Sequence, residues 1–134
     1  MMTARKLQTG LALIFLILGA WCLIAPAMVV RFTFQPEFNE ATRQARFLMG
    51  CFGAQAVLNG TILLTARFTP VTFLVFGLVG SIPFFAFNVW FWLVEPVLNA
   101  WMLLDLAGNV GILACGLWGW ALARQEARRS AVSH

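Results

Sequence analysis

The sequence has few charged residues for its length. Only 10% of its 134 residues are Asp, Glu, Lys or Arg, and 61% are hydrophobic. A soluble domain has about a quarter of its residues charged, because charges cover the surface that meets water. So low a charge content excludes an ordinary soluble domain and predicts an integral membrane protein, with the lipid bilayer as its first partner. The excess of nine basic over five acidic residues is then expected to flank spans and to meet anionic lipid, not nucleic acid.

Groups that commonly perform catalysis are also scarce. The single histidine is His134, so a His-based metal site or a bis-histidine haem cannot be built within the membrane. Cys22, Cys51 and Cys115 lie in apolar segments without a CxxC pair, which favours small buried side chains over disulfides. The sequence has no phosphate-binding glycine loop, no HExxH and no GxSxG motif. We therefore expect no cofactor and no metal, and we favour a non-enzymatic protein over an enzyme.

Four apolar segments are each long enough to cross a bilayer. They predict an all-α membrane protein, an antiparallel four-helix transmembrane bundle that forms one domain over 1–134. The first segment exceeds the core of a signal peptide, which predicts an uncleaved helix that ends near Pro26. Pro83 should kink the third helix, and Pro36 should begin a helical turn in the first loop. The predicted helices are 7–30, 44–67, 70–95 and 99–123, and a polar tail follows at 124–134.

Small and polar residues at helical spacing predict the inward face of each span, because lipid disfavours polar groups and close packing requires small ones. The fourth span carries Asp105 and Asn109 on one face, continued by Gly108, Gly116 and Gly119. The predicted inward residues of the first and third spans are Gln8, Ala12, Phe15, Gly19 and Cys22, and Gly77, Ser81, Phe84 and Asn88. On the second span, Cys51, Gln55 and Asn59 share one face, and Gly50, Gly53 and Ala54 lie beside them, where they would allow another helix to approach closely.

Asp105 is the most informative residue, because a carboxylate inside a membrane costs at least ~2.5 kcal/mol on insertion scales. We predict that Arg46, at the same depth, pairs with it. Asn109, Gln55, Asn59 and Asn88 would line the space below, and Glu95 would lie near the edge. Two interpretations remain open. The cluster is either a structural clasp between helices, which we favour, or a pocket that binds a small amphipathic molecule or relays protons.

The distribution of cations predicts the orientation. With a cytoplasmic N-terminus, Arg5, Lys6, Arg67, Arg124, Arg128 and Arg129 lie inside, whereas Arg31, Arg43 and Arg46 lie outside. Cytoplasmic loops are enriched in Lys and Arg, so this distribution favours both termini inside the cell. The three arginines of the first loop would lie outside, so they do not fit this rule.

Two glycine-containing segments carry a family resemblance. They are 19–26, which reads GAWCLIAP, and 46–53, which reads RFLMGCFG, followed by Asn59-Gly60. The chain resembles small four-helix bacterial membrane proteins of the broad DoxX-like grouping over about its first half. The resemblance implies the bacterial inner membrane and an association with quinone-linked redox complexes. No residue of this sequence carries that redox chemistry over.

Two functional hypotheses follow. The first is an accessory subunit, or a subunit that binds a small lipophilic ligand, either as a homo-oligomer or with a membrane partner. The alternative is a membrane enzyme subunit or carrier that handles a quinone-like or lipid-like substrate at the Arg46 and Asp105 cluster.

Overall fold

The computed structural model describes residues 3–132, and the regular structure in this range is helical. The helices are α1 (Ala4–Ile24), α2 (Pro26–Thr33), α3 (Arg43–Thr65), α4 (Pro70–Val79), α5 (Ile82–Val89), a short π-helix (Trp90–Val94) and α6 (Met102–Val132). Four stretches within them are long and apolar enough to cross a membrane, namely Ala4–Ile24, Arg43–Thr65, Pro70–Val94 and Met102–Ala131. The prediction of an all-α fold with four such helices is confirmed.

The first predicted helix is two helices, because proline interrupts it. Thr3 caps the start of α1 by accepting a hydrogen bond from the backbone N–H of Lys6 at 3.3 Å. Pro26 has no N–H for the helix ladder, so α1 ends at Ile24 and Pro26 becomes the first residue of α2. A turn forms at 36–38, where Pro36 was predicted to begin one, but no helix starts there. The helical start lies behind the N-cap Thr42, whose hydroxyl accepts from Ala45 at 3.1 Å.

Helices α1 and α3 pack with their backbones in close contact. A Cβ atom added to Gly53 would lie within 3 Å of the backbone of Gly19 and Cys22. A Cβ added to Gly60 would meet Leu16 and the Ala12 carbonyl at 2.7 and 3.0 Å. Later residues of α3 thus meet earlier residues of α1, so the two helices run in opposite directions. Small residues at this contact permit the close approach that stabilises helix pairs in lipid.

The third span is broken into three pieces, where a single helix over 70–95 was predicted. Thr69 caps α4, and Pro70 is its first residue, as the sequence indicated. The helix breaks at Gly80 and Ser81, two residues before Pro83, because a proline ring displaces the carbonyl four residues earlier. The buried Ser81 hydroxyl donates to the Gly77 carbonyl, which keeps its polar atom satisfied at the break.

Helix α6 packs against α4 and α5 through a second glycine contact. The Cα of Gly77 faces the backbone of Gly116, and the Phe73 ring occupies the space beside Gly119. Later residues of α4 meet earlier residues of α6, since Gly80 lies beside Ile112 and Phe73 lies beside Gly119, so this pair also runs in opposite directions. Helix α6 continues to Val132, so the predicted polar tail at 124–134 is helical over its described part.

Among the described residues, the main contacts between spans join α3 to α1, α1 to α6 and α6 to α4. Helix α3 meets the third span through the rings of Phe52 and Phe84, whose centroids are 5.9 Å apart. The complete antiparallel bundle therefore stays a prediction, because contacts between these two spans are sparse.

Hydrogen bonds close both ends of the molecule. At the terminal end, the Ala4 N–H donates to Glu126 Oε1 at 3.2 Å, and Arg5 donates to the Leu64 and Ala66 carbonyls at 2.6 and 2.9 Å. At the opposite end, called the loop end, the Asn99 amide donates to the carbonyls of Phe32 and Phe34 at 2.7 and 2.8 Å. Both ends are thus fixed by side chains that bind carbonyls left free where a helix ends.

Candidate functional site

Asp105 forms a cluster with two asparagines inside the membrane-spanning part of the protein. Its Oδ2 accepts a hydrogen bond from Asn88 Nδ2 at 3.0 Å and one from Asn109 Nδ2 at 2.8 Å. The two asparagines are only 5% and 4% exposed, whereas Asp105 is half-buried. Buried amides require partners, and this carboxylate oxygen supplies one for each. We call these three residues the Asp105 cluster.

The helix contacts explain how the cluster assembles. Asn109 follows Asp105 by four residues on α6, so the two side chains share one face. Asn88 comes from α5, which also contacts α6, and the Gly77–Gly116 contact holds the preceding helix α4 against α6. Of the seven residues in the predicted polar cluster, the structure brings these three together.

The other oxygen of the carboxylate is open. Among residues 3–132, Asp105 Oδ1 accepts no hydrogen bond, and no buried side-chain oxygen or nitrogen lacks a partner. Oδ1 is therefore accessible at the protein surface. The cluster thus presents one anchored and one free oxygen.

Arg46 does not join the Asp105 cluster. Its side chain is exposed, and it forms no ion pair or hydrogen bond with any residue that the structure describes. It lines a surface groove together with Arg31. The predicted pair of Arg46 with Asp105 is therefore absent, because α3 turns its first residues toward α2 and not toward α6.

The remaining predicted site residues also lie apart from Asp105. Gln55 is exposed, Asn59 is half-buried, and neither makes a hydrogen bond within the described range. Glu95 is exposed just after the π-helix and forms no ion pair there. On the second span, Gly53 packs against α1 as expected, whereas Cys51 and Gln55, predicted on the same side, are exposed. The buried residues of α3 are Gly53, Ala56, Gly60 and Leu63, because close backbone packing selects the small residues and not the amides.

The groove around Arg46 lies at the loop end, where the chain breaks between α1 and α2. It has a volume of about 620 Å³ and is lined by Ile24, Ala25, Pro26, Ala27, Met28, Arg31, Phe32 and Arg46. The residues around the break at Pro26 form one wall of it. Arg31 comes from the last turn of α2, and Arg46 from the first turn of α3. We call this feature the arginine groove.

The arginine groove joins apolar walls to two unpaired cations. Arg31, like Arg46, is exposed and has no ion-pair or hydrogen-bond partner in the described part of the chain. The sequence indicated Arg31 only as one of three arginines of the first loop, and no groove was predicted there. The available signal was the proline at 26, which ends one helix five residues before Arg31.

No group of three or more His, Cys, Asp or Glu side chains that could hold a metal ion occurs in residues 3–132. Comparisons with protein families, with curated proteins and with solved structures found no match to this chain. The function must therefore be argued from the geometry of these two sites.

Proposed function

We propose that this chain is a membrane-embedded accessory subunit. Its arginine groove binds an amphipathic molecule that has an anionic headgroup. One observation carries the proposal: two guanidinium groups without an anionic partner lie at an apolar groove of about 620 Å³. Helices long and apolar enough to span a bilayer support the membrane setting. A headgroup there would supply the negative charge that these arginines lack.

The chemistry of the groove fits such a ligand. An arginine side chain presents a planar fork of donors that binds phosphate or carboxylate through two parallel hydrogen bonds. Ile24, Met28 and Phe32 provide apolar walls beside this fork, where an acyl or isoprenoid chain could lie. A volume of about 300–1,000 Å³ is usual for sites that bind small molecules.

The lining residues favour binding over catalysis. They include two guanidiniums but no carboxylate, thiol or imidazole. Proton transfer needs a group that changes its protonation near neutral pH, and arginine stays protonated. A binding or accessory role is therefore the function that this groove supports best.

A second candidate function rests on the open oxygen of Asp105. An acid inside a membrane is a functional hypothesis by default, because its burial is costly. In this alternative, the chain is a carrier or an enzyme subunit that presents Asp105 to a quinone-like or lipid-like molecule. The resemblance to the DoxX-like grouping is compatible with it. The separation of Arg46 from Asp105 favours the first proposal, since the two charges do not form one site.

The proposed setting is the bacterial inner membrane, with both termini in the cytoplasm. The contact of Ala4 with Glu126 supports a topology with both termini on the same side of the membrane, because it joins the start of α1 to the last part of α6. In this orientation the arginine groove faces the outer leaflet.

Lipid binding by purified protein tests the proposal. The double variant Arg31→Gln, Arg46→Gln should lose affinity for phosphatidylglycerol about fivefold per arginine, since a basic residue near anionic lipid contributes about 1 kcal/mol. Arg43→Gln is the matched control, because Arg43 is an exposed arginine one turn earlier that does not line the groove. Native mass spectrometry in a neutral detergent can count the bound lipids.

Wild-type protein should retain phosphatidylglycerol in preference to phosphatidylcholine, and the control should behave like wild type. Equal loss in the double variant and in the control would show that charge alone attracts the lipid, and would overturn the proposed site. Retention of quinone by the double variant, with loss in Asp105→Asn, would favour the second candidate.

A further inference from the structure

Helix α3 has two opposite faces with the same spacing. The buried face consists of Gly53, Ala56, Gly60 and Leu63, spaced three, four and three residues apart. This face meets α1, and the main neighbours of α3 among the described residues are α1 and α2. The face on the other side of the helix therefore has no partner of comparable extent within the described chain.

That second face repeats the pattern. Its residues are Leu48, Cys51, Gln55, Leu58, Ile62 and Thr65, which alternate in steps of three and four and are all exposed. We call them the lipid-facing seam. Alternating steps of three and four are the heptad spacing by which two parallel helices interlock. The seam extends for about 26 Å at 1.5 Å per residue, which is close to the thickness of ~30 Å of the hydrocarbon core.

Gln55 is the anomaly of this seam. It lies near the middle of Arg43–Thr65, where the bilayer is driest, and its amide makes no hydrogen bond to any described residue. An amide in hydrocarbon without a partner is costly, because neither its N–H groups nor its carbonyl finds water. A partner outside the described chain would remove this cost.

We propose that the lipid-facing seam binds a second copy of this chain, in a parallel dimer whose two-fold axis is normal to the membrane. A glutamine amide has both a donor and an acceptor, so two copies of Gln55 can satisfy each other. Two chains that insert with the same orientation place this residue at the same depth. The seam has no charged residue, so identical faces do not repel. The other polar residue of the seam, Thr65, lies at the helix end and donates to the Thr61 carbonyl. A single amide at the centre of a heptad seam also fixes the register of the two helices.

Cysteine cross-linking in native membranes tests the interface. Cys51 of the two copies would face each other one turn from Gln55, and a disulfide needs Cα atoms less than about 7 Å apart. Oxidation with copper phenanthroline should convert the wild type to a covalent dimer. The variant Cys51→Ser should not cross-link, because Cys22 is buried and Cys115 is half-buried on other helices.

New cysteines in the Cys51→Ser background provide matched controls. Leu58→Cys and Ile62→Cys lie on the seam and should cross-link. Ala54→Cys and Thr61→Cys are exposed on a different face of the same helix and should not. Equal cross-linking at all four positions would indicate random collision and would overturn the proposal. Cross-linking only to a different protein would also overturn it.

The role of Gln55 is tested by the monomer–dimer equilibrium in bilayers, measured by energy transfer between labelled copies. Gln55→Leu should weaken the dimer about three- to tenfold, which corresponds to the usual strength of polar contacts between helices in membranes. Gln55→Asn, which keeps an amide, should weaken it less, and Thr61→Leu should leave it unchanged. An unchanged equilibrium in Gln55→Leu would show that the amide has no part in the contact. The arginine groove is on the opposite side of α3, so lipid binding should survive in these variants, and the two proposals can fail separately.

Discussion

The pair of α1 with α3 and the pair of α4–α5 with α6 use the same packing but hold polar groups at different depths. Gly53 in the first pair and Gly116 in the second each contact the backbone of the opposite helix. In the first pair, Arg5 and Gln8 lie at the helix end and bind carbonyls at the end of α3. In the second pair, the Asp105 cluster lies within the span. One pair thus closes a helix end, and the other holds a carboxylate inside the membrane.

The difference in depth determines what each polar group contributes. At a membrane edge, water can replace a lost side chain as the partner of a carbonyl. Within the span it cannot, so Asn88 and Asn109 depend on Asp105. The first pair should therefore depend mainly on packing, whereas the second should depend on packing and on one carboxylate.

The largest expected effect is the same in both pairs. Gly53→Ala and Gly116→Ala each place a methyl group against backbone atoms that cannot turn away. We expect each to lower the free energy of unfolding by about 3 kcal/mol, the upper part of the usual range for overpacking. Denaturation in mixed detergent micelles measures it. Gly50→Ala on the same helix has open space and should be neutral or stabilising, so equal losses at Gly50 would contradict this account.

Removal of the carboxylate should affect only the second pair. Asp105→Leu leaves two nearly buried amides without an acceptor, and it should cost about 2 kcal/mol in the free energy of unfolding. Asp105→Asn keeps an acceptor oxygen and should cost less. The same micelle titration compares them. A harmless Asp105→Leu would show that the asparagines find other partners.

At the edge of the first pair, the loss should be smaller. Arg5→Leu removes two hydrogen bonds to the Leu64 and Ala66 carbonyls, which water can then reach, so we expect a loss of about 1 kcal/mol or less. Hydrogen exchange of the last amides of α3 should rise in parallel. Gln8→Leu tests hydrogen bonds at the same helix end from a buried position. A loss at Arg5 that exceeds the loss at Asp105 would reverse the comparison.

The smallest expected effect is the coupling energy between Arg46 and Asp105, which should be close to zero. Arg46→Leu combined with Asp105→Leu should cost what the two single changes cost together, within about 0.5 kcal/mol, because distant sites without shared partners are additive. A double-mutant cycle in micelles measures this coupling. Recovery of stability in the double variant would reinstate the clasp that the sequence predicted.

The sequence predicted the faces of α1 and α6 well, because there the small and polar residues fall on one side. Gln8, Ala12, Gly19 and Cys22 are all buried as expected. Gly116 and Gly119 contact α4, and Leu103 and Leu117 are exposed as expected, whereas Leu113, expected on the same outer side, is half-buried.

On α3 the two criteria disagree, and this is why the prediction failed there. Gly53 and Gly60 lie on one face, whereas Gln55 lies on the other. Close packing selected the glycines. The depth of Arg46 could be predicted from its position in the span. The direction of its side chain depends on which helix packs against α3, and no local sequence pattern specifies that helix.

The hydrogen bonds at the two ends also bear on the order in which the helices can assemble during synthesis. The contacts of α1 with α3 need only the first third to half of the chain, so this hairpin can assemble while later helices are still being synthesised. The bonds of Asn99 join residues 67 and 65 positions apart, and the bond of Ala4 to Glu126 joins residues 122 positions apart. Until α6 is complete, the N-terminus of α1 lacks its acidic partner. The start of the first helix therefore gains this hydrogen bond only when the last helix is complete.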